Sequence, residues 1–149
     1  MVNMAKLFEL FVARWLEEHL DTQYVTKWQE SFSIGENNPL RMVTDVLIFE
    51  RASGKCLCVL DTKYKAHSSV TGDDYSQVVA YSDALGCRNA ILAYPSDTVH
   101  QLDVRPGRIR VQSCVFDLGL HFDVAGAEFL QQLYPILIEA QNDKTISRA

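Results

Sequence analysis

The chain has 149 residues, of which 48% are apolar and 22% are charged, and its net charge is −5. This composition is typical of a soluble globular protein, and the length predicts one domain over residues 1–149. No apolar run approaches the ~20 residues that span a bilayer, and the first residues lack a signal-peptide layout, so we expect a cytoplasmic protein without membrane contact. The negative charge argues against a stand-alone nucleic-acid binder, although acidic residues elsewhere can coexist with a local basic surface.

The first half of the chain predicts one helix and three strands. Apolar residues recur at three- and four-residue steps over about residues 3–20, which indicates an amphipathic helix. Strands are predicted over 24–32, 42–50 and 56–64, the last two joined by a hairpin turn. The third strand is apolar on both faces until Asp61, which is typical of a central strand.

The second half predicts a helix, two strands and a closing helix. The first of these helices is expected to begin at Asp73 or Asp74 and to run to about Leu85, with Gly86 at its C-terminal end. The remaining predicted elements are a strand over 89–94, a loop over 96–107, a strand over 108–116 and a helix over 125–141. The order α-β-β-β-α-β-β-α predicts an α/β fold with a mixed sheet flanked by helices.

Four cysteines, Cys56, Cys58, Cys87 and Cys114, show no Cys-x-x-Cys spacing. Zinc and iron–sulfur sites usually have tighter pairs. We therefore predict four reduced thiols that behave as small apolar residues.

Two acids and a lysine are predicted to meet at one end of the sheet. Asp45 lies inside an apolar strand, and Asp61 ends the next strand, two positions before Lys63. Positions two apart in a strand share a face, so Asp61 and Lys63 point the same way. Two carboxylates can hold Mg²⁺ or Mn²⁺ through oxygen, and this set suits attack of water on a phosphodiester. The alternatives are a water-facing edge-strand acid for Asp45 and a turn cap for Asp61.

Further side chains can complete such a site. Glu9 falls just beyond the apolar arc of the first helix, where it is either a solvated flank or an outer metal ligand. Gln77 and Tyr81 share a helix face, so the Gln77 amide either lies exposed or reaches the metal-bound water or the phosphate. Lys65 and His67, together with Tyr81, are candidate DNA contacts, although a solvated Lys65 fits the pattern equally well.

These residues resemble the PD-(D/E)xK nuclease superfamily. The likeness rests on Phe8-Glu9, Asp45, Asp61-x-Lys63 and Gln77-x-x-x-Tyr81. A narrower likeness, to the McrC nuclease subunit of modification-dependent McrBC restriction systems, rests on Leu60-Asp61-Thr62-Lys63-Tyr64-Lys65, Asp74-Tyr75-Ser76-Gln77-Val78-Val79-Ala80-Tyr81 and Leu92-Ala93-Tyr94-Pro95. It extends from about Leu7 to Leu118.

The resemblance implies a restriction-endonuclease-like fold and a DNA endonuclease that depends on Mg²⁺ or Mn²⁺. The metal ligands that it implies are Asp45, Asp61, the outer acid Glu9 and the carbonyl of Thr62. Lys63 is then the catalytic lysine, and Gln77 is an accessory catalytic group. DNA is the implied substrate, and a GTP-driven McrB-like motor and a second copy of the chain are candidate partners.

The chain departs from the family pattern in two ways. Thr44 stands where the family usually has proline, which changes backbone rigidity and leaves ligand chemistry intact. The chain is also shorter than a protein that holds the motor-binding region of McrC, which fits an isolated nuclease domain or a shortened relative. Two rival functions are a structure-selective, junction-resolvase-like DNase acting as a homodimer and a catalytically silent interaction domain.

Overall fold

The computed structural model describes residues 3–37, 40–64, 70–98 and 101–143. Its elements in chain order are α1 (Met4–His19), β1 (Tyr24–Ile34), β2 (Leu40–Glu50), β3 (Cys56–Thr62), α2 (Gly72–Leu85), β4 (Asn89–Tyr94), β5 (Asp103–Val104), β6 (Arg110–Val115) and α3 (Phe122–Asn142). These strands form one sheet in the order β1-β2-β3-β4-β6-β5. The β3–β4 and β4–β6 pairs are parallel, and the other pairs are antiparallel, so the predicted mixed sheet is confirmed.

The predicted order of elements is wrong at one point, because β5 lies inside the predicted loop over 96–107. Two residues are too short to show the alternation from which a strand is recognised. The strand is held to its neighbour by side chains as well as by the backbone. Arg110 on β6 donates two hydrogen bonds to the carboxylate of Asp103, at 2.8 and 2.7 Å.

The start of α2 also differs from the prediction of Asp73 or Asp74 as the capping residue. Thr71 is the N-cap, and its hydroxyl accepts a hydrogen bond from the Asp74 N–H at 3.2 Å. The Asp74 carboxylate accepts in return from the Thr71 N–H, which completes a capping box. At the other end, Gly86 adopts a φ of 71° as the predicted C-terminal residue. No helix within the described ranges is long and apolar enough to cross a membrane.

The helices cover the two faces of the sheet with separate apolar clusters. One cluster joins α1 and α3 to the sheet and includes Phe8, Val12, Leu16, Val46, Leu60, Ile91, Phe129 and Leu133. The other joins α2 to the opposite face and includes Leu47, Val59, Val78, Tyr81, Leu92 and Tyr94. Successive residues of β4, and of β2 from Val46 to Ile48, enter different clusters, as expected for strands that are buried on both faces.

The cysteines only partly follow the prediction of four reduced thiols. Cys58 and Cys114 are free and buried. Cys56 and Cys87 form a disulfide, with their Cα atoms 5.8 Å apart. The fold brings the first residue of β3 next to the segment that follows α2. The two cysteines are 31 residues apart in the sequence, so their spacing does not predict this contact.

We expect Gly126→Ala to destabilise the protein by about 1–3 kcal/mol through overpacking. A methyl group at Gly126, on α3, would collide with the indole ring of Trp15, on α1. The control is Gly72→Ala, at the start of α2, where the added carbon meets open space. Urea denaturation of both variants measures the difference, and equal stabilities would contradict the close approach of the two helices.

Candidate active site

The site begins where β2 separates from β3. The last paired residues of these strands on this side are Val46 and Leu60, and Asp45 is the next residue of β2. Beyond this point the Asp45 side chain continues the link between the strands. Its Oδ2 accepts hydrogen bonds from the N–H of Thr62 at 2.8 Å and from the Thr62 hydroxyl at 3.0 Å. We call the point where the two strands diverge, between Asp45 and Thr62, the fork. The Asp45 carboxylate bridges it.

A second carboxylate, that of Asp61, lies within hydrogen-bonding reach of Asp45. Asp61 is 5% exposed. Burial raises the pKa of Asp45 to about 7, and the hydrogen bond and charge of Asp61 add to the increase, while the hydrogen bonds from Thr62 oppose it. Two carboxyls this close, one buried and one half-buried, cannot both be ionised without a compensating positive charge.

Lys63 brings a positive charge to the site. Its Nζ lies 2.7 Å from Asp61 Oδ2, an ion pair whose approach angle is poor for a hydrogen bond. The same ammonium donates to Gln77 Oε1 at 2.8 Å. Burial lowers the pKa of Lys63, but the neighbouring Asp61, Asp74 and Asp45 outweigh burial and raise it overall. Lys63 is therefore a protonated donor, held by groups from the sheet and from α2.

The helix α2 holds Gln77 against this lysine. Gln77 Nε2 donates to the hydroxyl of Tyr81 at 3.0 Å, which leaves the amide oxygen turned toward Lys63. Tyr81 is only 8% exposed, so its hydroxyl holds the Gln77 amide from the buried side of the helix. The shared face that the four-residue spacing predicts is thus present. The predicted contact of Tyr81 with DNA stays a prediction.

Two further residues belong to the surroundings of the site and were missed by sequence reasoning about function. Asp74 Oδ1 lies 3.9 Å from Lys63 Nζ, although the sequence marked Asp74 only as a helix cap. Tyr94 is fully buried, and its hydroxyl has no hydrogen-bond partner within the described ranges. Burial raises the pKa of Tyr94, and the charges of Asp74 and Asp61 add to the increase, which places the hydroxyl near the carboxylates. The one sequence feature that could have pointed to Tyr94 is its place in Leu92-Ala93-Tyr94-Pro95, which is part of the resemblance to McrC.

Glu9 occupies a different position from the Asp45–Asp61 pair. It lies on α1, on the other face of the sheet from α2. Its Oε1 accepts from Lys6 Nζ at 3.3 Å and from Gln29 Nε2 at 3.2 Å. Across the described ranges, no three acidic, histidine or cysteine side chains gather into a metal-binding group. The predicted role of Glu9 as an outer ligand therefore stays a prediction, and Lys65 and His67 lie outside the described residues.

The residues at the fork fit a hard divalent cation. Asp45 and Asp61 offer carboxylate oxygens, which such a cation prefers. Asp61 Oδ2 is buried without an aligned hydrogen bond among the described residues. A divalent charge placed there would also offset the repulsion that raises the pKa of Asp45.

We expect Asp45→Asn to increase stability in EDTA above pH 7 by an amount on the order of 2 kcal/mol. Between about pH 4 and 7 the folded state keeps a proton on Asp45 that the unfolded chain has released, since the pKa rises from 3.8 to about 7. The contribution of Asp45 to the free energy of unfolding therefore falls as pH rises through this range. The variant lacks this decrease.

Urea denaturation at pH 5 and pH 8 measures the effect. Asp83→Asn, at an exposed position on α2, is the matched control and should follow the wild type. Parallel pH dependence of Asp45→Asn and the wild type would contradict the carboxyl pair.

Comparison with known proteins bears on the family and the fold of the chain. The family model described as "McrBC 5-methylcytosine restriction system component" matches residues 1–95. No curated protein matches the sequence. Among solved structures, the fold is similar to a chain of the Thermococcus gammatolerans assembly of McrB AAA+ hexamers with bound McrC, with a TM-score of 0.71 and 18% identity.

That alignment covers 91% of this chain and 34% of the matched chain, so this chain spans about a third of its length. At 18% identity the match shows a shared fold, and the predicted restriction-endonuclease-like sheet with flanking helices is confirmed. The family match extends over α1 to β4, the part of the chain that contains Asp45, Asp61 and Lys63. The chain therefore belongs to the McrBC family of 5-methylcytosine restriction system components.

Proposed function

We propose that this chain is a DNA endonuclease that depends on Mg²⁺ or Mn²⁺, in the manner of an McrC nuclease domain. The observation that carries the proposal is the convergence of Asp45, Asp61 and Lys63 at the fork of β2 and β3. Membership in a restriction family supports DNA as the substrate. Acidic ligands beside one ammonium suit hydrolysis of a phosphodiester.

Asp45 and Asp61 would hold the cation, with the carbonyl of Thr62 as a further oxygen ligand. When bound, such a cation polarises a phosphate and lowers the pKa of a coordinated water. The protein supplies the position: Thr62 fixes the Asp45 carboxylate through two hydrogen bonds. The Lys63 N–H also bonds to the carbonyl of Ala93 at 2.8 Å, which ties the end of this segment to β4.

Lys63 would stabilise the negative charge that grows on the phosphate oxygens in the transition state. Because its pKa is raised, Lys63 stays protonated, and it acts as a hydrogen-bond donor and not as a proton acceptor. Asp61 and Gln77 hold the ammonium from two sides, so that little reorganisation is needed when substrate binds. Tyr81 fixes the orientation of the Gln77 amide.

A McrB-like motor is the partner that we propose for the protein. The McrC of the Thermococcus gammatolerans assembly is bound to McrB AAA+ hexamers. Co-elution of this chain with a McrB-like protein in the presence of GTP tests whether the part of McrC that corresponds to this chain takes part in that contact. A second copy of the chain is the alternative partner, and analytical ultracentrifugation without the motor measures it.

We expect Asp61→Ala and Lys63→Ala to reduce nicking of supercoiled plasmid by at least ~10²-fold while the fold survives. The first variant removes a metal ligand, and the second removes the charge opposite the phosphate. The assay compares Mg²⁺, Mn²⁺ and EDTA at a stated salt concentration, because DNA affinity depends on salt. Circular dichroism checks the fold.

Matched controls come from exposed positions outside the site. Asp83→Ala on α2 and Lys27→Ala on β1 remove the same charges and should keep wild-type nicking. Wild-type cleavage by either site variant would refute the assignment. A wild type that neither cuts DNA nor binds Mg²⁺ would instead favour a silent interaction domain.

A further inference from the structure

Gln29 has an unusual backbone for a strand residue. Its φ is 54°, and within the described ranges it is the one residue other than glycine with a positive φ. It lies in the middle of β1, where extended backbone is expected. A side chain in this region is strained, and such strain persists only where surrounding contacts enforce it.

The break in β1 lies directly opposite Asp45. The pairs Trp28–Val46 and Glu30–Thr44 keep one register on either side, and only the position of Gln29 and Asp45 is left out. No residue is inserted, so the feature is a local change of conformation and not a β-bulge. Asp45 is thus the point where β2 is unpaired from β1 and also leaves β3.

The strained backbone changes the face to which the Gln29 side chain belongs. Lys27, two residues earlier, lies over the ring of Phe49, which packs with the α2 cluster. Regular alternation would put Gln29 on that same face. Its amide instead donates to Glu9 Oε1 at 3.2 Å, on α1, which covers the opposite face.

We infer that Gln29 is a positioning residue that holds the Glu9 carboxylate on the α1 face of the sheet, beside the strand position of Asp45. Hydrogen bonds to a charged acceptor are the stronger kind, which suits the enforcement of a strained backbone. The inference rests on the proposed function, because Glu9 would act there on the outer coordination of the cation held by Asp45 and Asp61. Partners of this kind commonly change metal affinity by 10–100-fold.

The test is isothermal titration of the whole chain with Mg²⁺ alone. Glu9→Gln and Gln29→Gly are each expected to raise the Kd for Mg²⁺ roughly tenfold. The double variant should be no weaker than either single variant, because both changes remove the same link. A purely structural role of Gln29 would not produce this non-additivity.

A second readout separates positioning from folding. Glycine accepts a positive φ without strain, so Gln29→Gly should leave the Tm unchanged or raise it. Ser31→Gly is the matched control at an exposed, regularly paired position of the same strand, and it should lower the Tm by roughly 2 °C. Gln29→Asn, which tolerates the backbone but has a shorter amide, should show the same loss of Mg²⁺ affinity and replaces the glycine variant should that variant fail to fold.

The outcomes distinguish the two proposals. Wild-type Mg²⁺ binding that is unchanged in Gln29→Gly or Gln29→Asn, or losses that add in the double variant, would overturn the role of Gln29 and leave the proposed nuclease intact. A wild type without Mg²⁺ binding would overturn the proposed function, and the role of Gln29 would fall with it.

Discussion

The structure of the site depends on the hydrogen bonds between the Asp45 carboxylate and Thr62. They replace the backbone pairing that ends when β2 leaves β3, so a polar side chain closes what would otherwise be an open fork. The arrangement brings Asp45 against Asp61, and it fixes both on the face covered by α2. A site built on strand backbone in this way is more rigid than one built on a loop.

Among the residues that the structure describes, negative charge exceeds positive charge at this fork. Within the described ranges, Asp45, Asp61 and Asp74 act on the ammonium of Lys63, and the burial of Asp61 and Asp74 limits screening by solvent. The free protein relieves the excess by raising the pKa of Asp45. In the proposed nuclease a divalent cation would relieve it without a proton, so the same crowding would favour binding of the metal.

Much of the fold could be predicted from the sequence because periodicity is a local property. The helices and the longer strands appear where the apolar pattern places them, and the two-faced apolar run of β3 correctly indicated an interior strand. The features that the sequence did not predict are those that leave no periodic pattern of apolar residues. β5 has only two residues, the cap of α2 depends on a reciprocal bond between Thr71 and Asp74, and the Cys56–Cys87 disulfide joins distant segments.

The candidate site divides in the same way. The sequence by itself determined that Asp61, in β3, and Lys63, just after its end, point the same way and that Gln77 and Tyr81 share a helix face, because backbone geometry fixes the direction of side chains two or four residues apart. Only the tertiary structure decided that Gln77 meets Lys63 and that β1 breaks at Gln29, opposite β2. These contacts depend on how layers pack and strands diverge, and no local spacing encodes the distance between residues of different elements.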